Sequence, residues 1–172
     1  VLVQTLPQDR IIAIADDNLA RVLRDAMGKP SKEEFTLSEL RTLNALDAEN
    51  ANINSLDGLE HASNLRSLKL QNNRITDLSP IREFTNLSHL DLSNNPIHDI
   101  ELLAGLGSLE ELRLNSTLVS DLGPLEKLAQ LEILSLDNAQ VTELTPLSGL
   151  HALKTLNLSH NYISDLAPMQ NL

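Results

Sequence analysis

The sequence predicts an α/β chain wound as a right-handed, leucine-rich solenoid. The expected shape is a horseshoe with a parallel β-sheet on its concave side and 3₁₀ or irregular backbone on its convex side. A small α-helical cap closes its N-terminal end. Three observations predict this. One hydrophobic phrase recurs six times at a constant interval of 22 residues, with no insertion between copies. Each copy carries the apolar alternation that a half-buried strand requires, as in Leu68-Lys69-Leu70. A segment of helical period stands ahead of the first copy. One such unit cannot bury its apolar face alone; stacked units bury a continuous core.

The cap is expected over residues 1–42. Asp16 and Asp17 are N-cap candidates, because a short carboxylate accepts the unpaired N–H groups of a first helical turn. Leu19, Val22, Leu23, Ala26 and Met27 then form an apolar stripe of helical spacing. Gly28 and Pro30 end that helix. Thr36-Leu37-Ser38-Glu39 has the form of a capping box opening a second short helix through Leu40 and Arg41. The stripe is expected to cover the first coil. Val1–Pro7 is apolar but has no Met and no basic stretch, so it is not read as a signal peptide.

The solenoid is expected over residues 43–172, as six coils of which the last is incomplete. Leu65, Leu68, Leu70, Asn73, Ile75 and Leu78 set the clearest phrase. It returns from Leu87, Leu109, Leu131 and Leu153, and a weaker copy starts at Leu43. Adjacent strands lie about 4.8 Å apart, so six coils rise about 29 Å. At 22 residues per coil there is little room for an outer α-helix, and 3₁₀ turns are expected there. Asp77, Asp99, Asp121 and Asp165, with Glu143 and Ser55 as variants, form a column expected to cap tight turns. Pro80, Pro124, Pro146 and Pro168 preset φ in the same turns.

Asn73, Asn95 and Asn161 form a column expected to point inward and bond the backbone of their own and neighbouring coils. Thr117 keeps a hydroxyl there, whereas Ala51 and Ala139 carry nothing, which marks the fifth coil as a soft point. The chain stops at Leu172 inside a Leu-rich phrase. Leu156, Leu158, Ile163, Leu166 and Met169 are therefore expected to have one side uncovered. This fits a piece of a longer protein or end-to-end self-association.

The formal net charge of −11 argues against nucleic acid, which demands clustered Lys and Arg. No apolar run approaches the roughly 20 residues that span a bilayer, so membrane insertion is not expected. With no cysteine there is neither a disulfide scaffold nor a thiolate metal site.

The unit Leu-x-x-Leu-x-Leu-x-x-Asn-x-Ile-x-Asp-Leu-x-Pro-Leu resembles the internalin-type leucine-rich repeat of bacterial surface proteins. Ile14–Leu19, followed by Met27-Gly28-Lys29, is similar to the helical cap that precedes such repeats. It departs from them at Ala15 and Asp17, where such caps often carry Pro. The resemblance covers roughly residues 12–172. It implies a leucine-rich-repeat solenoid that is secreted or displayed at the bacterial surface, and adhesion to or recognition of another protein by the concave sheet. The alternative is a cytoplasmic scaffold or phosphatase-regulating subunit, since 22-residue repeats occur there too.

Exposed strand positions fall into three columns. The first runs Ala45, Ser67, His89, Glu111, Ile133, Thr155. The middle one runs Asp47, Lys69, Asp91, Arg113, Ser135, Asn157. The third runs Glu49, Gln71, Ser93, Asn115, Asp137, Ser159. Charges in the middle column alternate, so neighbours are able to pair as a ladder. Candidate contacts to a partner protein are Lys69, His89, Asp91, Glu111, Arg113, Asp137 and Tyr162. Aromatics, the usual strong anchors, are scarce, which implies weak, polar or multivalent binding. His89, Asp91 and Glu111 invite a metal or acid–base reading, but an open hydrated surface explains them as well. No zinc spacing, nucleophile elbow or phosphate loop is present. No catalytic residue, metal or cofactor is expected.

Overall fold

A computed structural model describes residues 9–170 and 172 of the chain. The Val1–Pro7 stretch lies outside the described residues. Two short strands, β1 (Ile11–Ile12) and β2 (Phe35–Thr36), pair antiparallel and bracket the helix α1 (Asp17–Met27). A one-turn helix α2 (Leu37–Leu40) follows. Six three-residue strands then stack parallel in chain order: β3 (Ala45–Asp47), β4 (Ser67–Lys69), β5 (His89–Asp91), β6 (Glu111–Arg113), β7 (Ile133–Ser135) and β8 (Thr155–Asn157). Their register steps by one repeat, so Ala45, Ser67, His89, Glu111, Ile133 and Thr155 stand in one row. This is the first predicted column.

Between strands the chain returns through short 3₁₀ turns such as Ser79–Ile81 and Gly123–Lys127. Acids of the predicted column cap the turns that follow them. Asp77 Oδ1 accepts from Ser79 N–H at 2.8 Å, Asp99 Oδ1 from Glu101 N–H at 2.9 Å, and Asp121 Oδ1 from Gly123 N–H at 2.8 Å. Glu143 takes the N–H groups of both Leu144 and Thr145. The residue before the Asn column adopts left-handed backbone in every coil: Asn50, Asn72, Asn94, Ser116, Asn138 and His160, with φ from 53° to 61°. Asn tolerates that region better than other non-glycine residues, which explains its dominance there.

The framework leucines form one dry spine. Leu65, Leu68, Leu70, Leu87, Leu109 and Leu131 are fully buried, as is Phe84. Inside the spine the Asn column bonds backward as well as locally. Asn73 Nδ2 donates to Leu70 O in its own coil and to Ala48 O in the coil before, both at 2.8 Å. Its Oδ1 accepts from Ile53 N–H at 2.9 Å. Asn95 repeats this on Leu92, Leu70 and Ile75, and Asn161 on Leu158, Leu136 and Val141. Among the described residues, the Thr117 side chain makes only the bond to its own coil, at Leu114 O.

This corrects the expected position of the soft point. The fifth coil's own groups, Leu136 O and Val141 N–H, are served by Asn161. What Ala139 leaves without a partner is Val119 N–H in the fourth coil, which makes no hydrogen bond among the described residues. Thr117 likewise leaves Ile97 N–H of the third coil without a partner among the described residues, so the joints on both sides of the fourth coil lack the backward bond.

In the cap, Asp16 alone is the N-cap, and Asp17 is the first helical residue. Helix α1 ends at Gly28, whose φ of 64° lets Lys29 N–H bond back to Arg24 O at 2.9 Å. The stripe is narrower than expected: Leu19, Ala20 and Leu23 are buried, Val22 and Met27 half-buried, and Ala26 exposed. The capping box of Thr36 and Glu39 is present. At the far end, Leu156, Leu158, Ile163 and Met169 are half-buried and Leu166 is 65% exposed. Their counterparts one coil earlier are fully buried because a further coil covers them.

Candidate functional site

Parallel pairing sets the concave residues in straight rows, and alternation along each strand turns them away from the spine. In the middle row Asp47, Lys69, Asp91 and Arg113 follow one another on adjacent strands. The expected charge ladder forms only in part. Lys69 Nζ pairs with Asp47 at 3.2 Å, but Arg113 Nε turns along its own strand to Glu111 Oε1 at 2.6 Å. Residues two apart on a strand share a face, so this local partner competes with the cross-strand one. Asp91 keeps a single local bond, its Oδ1 accepting from Ser93 N–H at 2.9 Å.

Five of the seven candidate contacts converge. Lys69, His89, Asp91, Glu111 and Arg113 line one open depression of about 300 Å³ across β4, β5 and β6, together with Gln71. Asp137 and Tyr162 lie outside it. Asp137 bonds His160 Nδ1 at 2.7 Å, and Tyr162 is 73% exposed on the last coil.

Two features of this surface lie beyond the candidates. Gln71 Nε2 donates to the Glu49 carboxylate, whereas its Oε1 is shut off from solvent without a donor. Such an acceptor costs about 1–3 kcal/mol, an unusual expense beside an open depression. Leu118 is the second feature. It is 48% exposed and occupies the same place in its coil as Tyr162, just after the Asn column. Column counting points to it: Arg74, Pro96, Leu118, Gln140 and Tyr162 form one exposed row. Leu118 N–H and Tyr162 N–H each bond the preceding coil, at Ile97 O and Val141 O, which fixes that row along the strand-exit rim.

Comparison with known proteins agrees with this geometry. The family of leucine-rich repeats in two copies matches residues 63–105, 107–149 and 130–172. None of the curated proteins matches the chain. Among solved structures, an internalin (inlF) from Listeria monocytogenes is similar over 91% of this chain, at 33% identity and a TM-score of 0.88. The match takes up 47% of that protein, so the chain spans about half its length. Internalin C2 (inlC2) from the same organism is 31% identical, with a TM-score of 0.68, over 91% of this chain and 89% of that one. A leucine-rich-repeat protein of Leptospira interrogans is 28% identical over 76% of this chain and 35% of its own, with a TM-score of 0.69. With its repeats, strand rows and Asn column in place, the chain belongs to the leucine-rich-repeat family, as a bacterial protein of the internalin type.

Proposed function

We propose that the chain is a recognition module that binds another protein with its concave sheet and works as a secreted or surface-displayed bacterial protein. Lys69, His89, Asp91, Glu111 and Arg113 form the central contact, and Asp137 and Tyr162 extend it along the solenoid. The observation that carries this reading is the convergence of those five residues in one open depression while their Leu neighbours hold the spine. A floor of charged and polar groups, with the exposed Leu118 and Tyr162 farther along the strand-exit rim, fits a polar interface with few anchors. Binding is favoured over catalysis. Of the trio His89, Asp91 and Glu111, the last is engaged by Arg113, and the site is open rather than enclosed.

Affinity capture with the wild-type chain and with a Lys69→Glu, Arg113→Glu variant tests the reading. Proteins retained by the wild type are expected to be lost from the variant. Retention of the same proteins by both would remove the middle row from the binding surface. Fractionation of the source cells tests the location: recovery in the cytosol alone would contradict surface display.

A further inference from the structure

The concave depression holds one charge that nothing in it answers. Register places Asp91 between Lys69 and Arg113 on neighbouring strands, within reach of two cations. It forms an ion pair with neither, because Lys69 reaches back to Asp47 and Arg113 turns to Glu111. Among the described residues, the half-buried Asp91 has one hydrogen bond, from Ser93 N–H to Oδ1, and its Oδ2 has no donor. Gln71 lines the same depression, and its Oε1 is the one buried side-chain polar atom without a partner among the described residues. His89 Nδ1 is already engaged by Ser88 Oγ at 2.8 Å. What the site lacks is therefore one positive charge with hydrogen-bond donors.

We infer that the depression receives a single basic side chain of the partner protein, with Asp91 as its counter-ion. This rests on the reading of the concave face as a protein-binding surface. Arginine fits better than lysine. Its planar fork sets two parallel N–H donors on one carboxylate, whereas an ammonium is a compact point charge. A divalent metal fits poorly, because a hard cation demands several oxygens and the neighbouring carboxylates, Asp47 and Glu111, are already held by Lys69 and Arg113. An acidic side chain would have to break an existing ion pair and would still face Asp91. The chain's net charge of −11 also favours approach by a basic surface.

The test is a titration of the full ¹⁵N-labelled chain, followed by NMR, with the Nα-acetyl methylamides of arginine, lysine and glutamate. The arginine probe is expected to shift the amides of Asp91, Ser93 and Gln71 saturably, in the millimolar range. Lysine should do so more weakly and glutamate not at all. Asp91→Asn keeps an acceptor for Ser93 N–H while removing the charge, and should weaken arginine binding at least tenfold. Absence of the shifts, an equal response in Asp91→Asn, or equal binding of glutamate would overturn the inference. If the shifts are absent while Lys69→Glu, Arg113→Glu still abolishes protein capture, this inference fails and the concave reading stands. If arginine binds through Asp91 but neither variant alters capture, the concave reading fails.

Discussion

The carboxylate of Asp16 reaches across 38 residues to accept the backbone N–H of Asn54 at 2.8 Å. The same oxygen accepts from Ser55 N–H at 3.3 Å, while Oδ1 takes Asn18 and Leu19 N–H at the start of α1. One side chain thus caps the helix and straps it to the first coil. Partial burial works against its ionisation, but the N–H groups of Asn54, Leu19, Ser55 and Asn18 outweigh this and hold its pKa below the ordinary 3.8. Asp16→Ala should lose both functions and about 1–2 kcal/mol. Asp16→Asn keeps one acceptor oxygen and should fall between. Urea unfolding compares the three. Equal midpoints for Ala and wild type would show that the strap contributes nothing.

A second carboxylate links the cap to pH. Glu39 is held below the ordinary 4.5 by its bond from Lys29 Nζ at 2.6 Å and by Thr36 N–H. Both groups have folded pKa values below their unfolded ones. Their contribution is present above the unfolded values of 3.8 and 4.5 and is lost as pH falls through the folded ones. Lys29 has the opposite sign. Glu39 raises its pKa above 10.5, so its contribution is present below that value and fades as pH climbs through the raised one. The cap should therefore loosen below about pH 4, before the central coils do. Amide exchange resolved along the chain measures this. Simultaneous loss of protection in α1 and β5 at falling pH would contradict it.

Column counting anticipates the framework because the periodic part of the sequence repeats one local problem, and each repeat has the same solution. The strand rows, the turn-capping acids and the inward Asn residues follow from spacing alone. What is not legible depends on choices between equally near partners. Arg113 has Asp91 across the sheet and Glu111 along its strand, and only the packed side chains select Glu111. Ile11–Ile12 is too short to announce a strand, and its pairing with Phe35–Thr36 across the helix is non-local. The second arm of Asp16 is hidden for the same reason. Leu118 is within reach of the columns but is overlooked when the strand rows alone are counted as surface.

Gly58 marks the tightest approach between cap and solenoid. Its φ is 97°, and a Cβ there would lie 2.5 Å from Ala13 O and 2.7 Å from Ile14 Cδ1. The carbonyl cannot yield without moving the segment whose Ala15 N–H bonds Asp57 O at 3.3 Å. Gly58→Ala should destabilise the chain by about 1–3 kcal/mol through backbone strain alone. Gly149, with open space around it, is the control: Gly149→Ala should change the melting temperature little. Similar effects at the two sites would show that the contact at Gly58 is readily relaxed.

The vacant amide at Ala139 yields the sharpest test of how coils hold one another. The spacing of the intact members lets the side chain introduced by Ala139→Asn accept from Val119 N–H and donate to Leu114 O, as Asn161 does on Val141 and Leu136. Leu114 O already accepts from Thr117 Oγ1, but a carbonyl has two lone pairs, and Leu70 O serves both Asn73 and Asn95 in the same way. Ala139→Asn should therefore stabilise by about 1 kcal/mol, the usual net worth of satisfying a buried group, and raise the melting temperature by about 2–4 °C. Because coils in a solenoid open locally, the more direct readout is exchange of the Val119 amide, which should slow. Ala51→Asn is the internal comparison. No coil precedes it, so no strand-exit N–H waits behind it, and it should bring no such gain. An unchanged Val119 amide, or an equal gain at position 51, would mean that the backward bond is not what joins the coils.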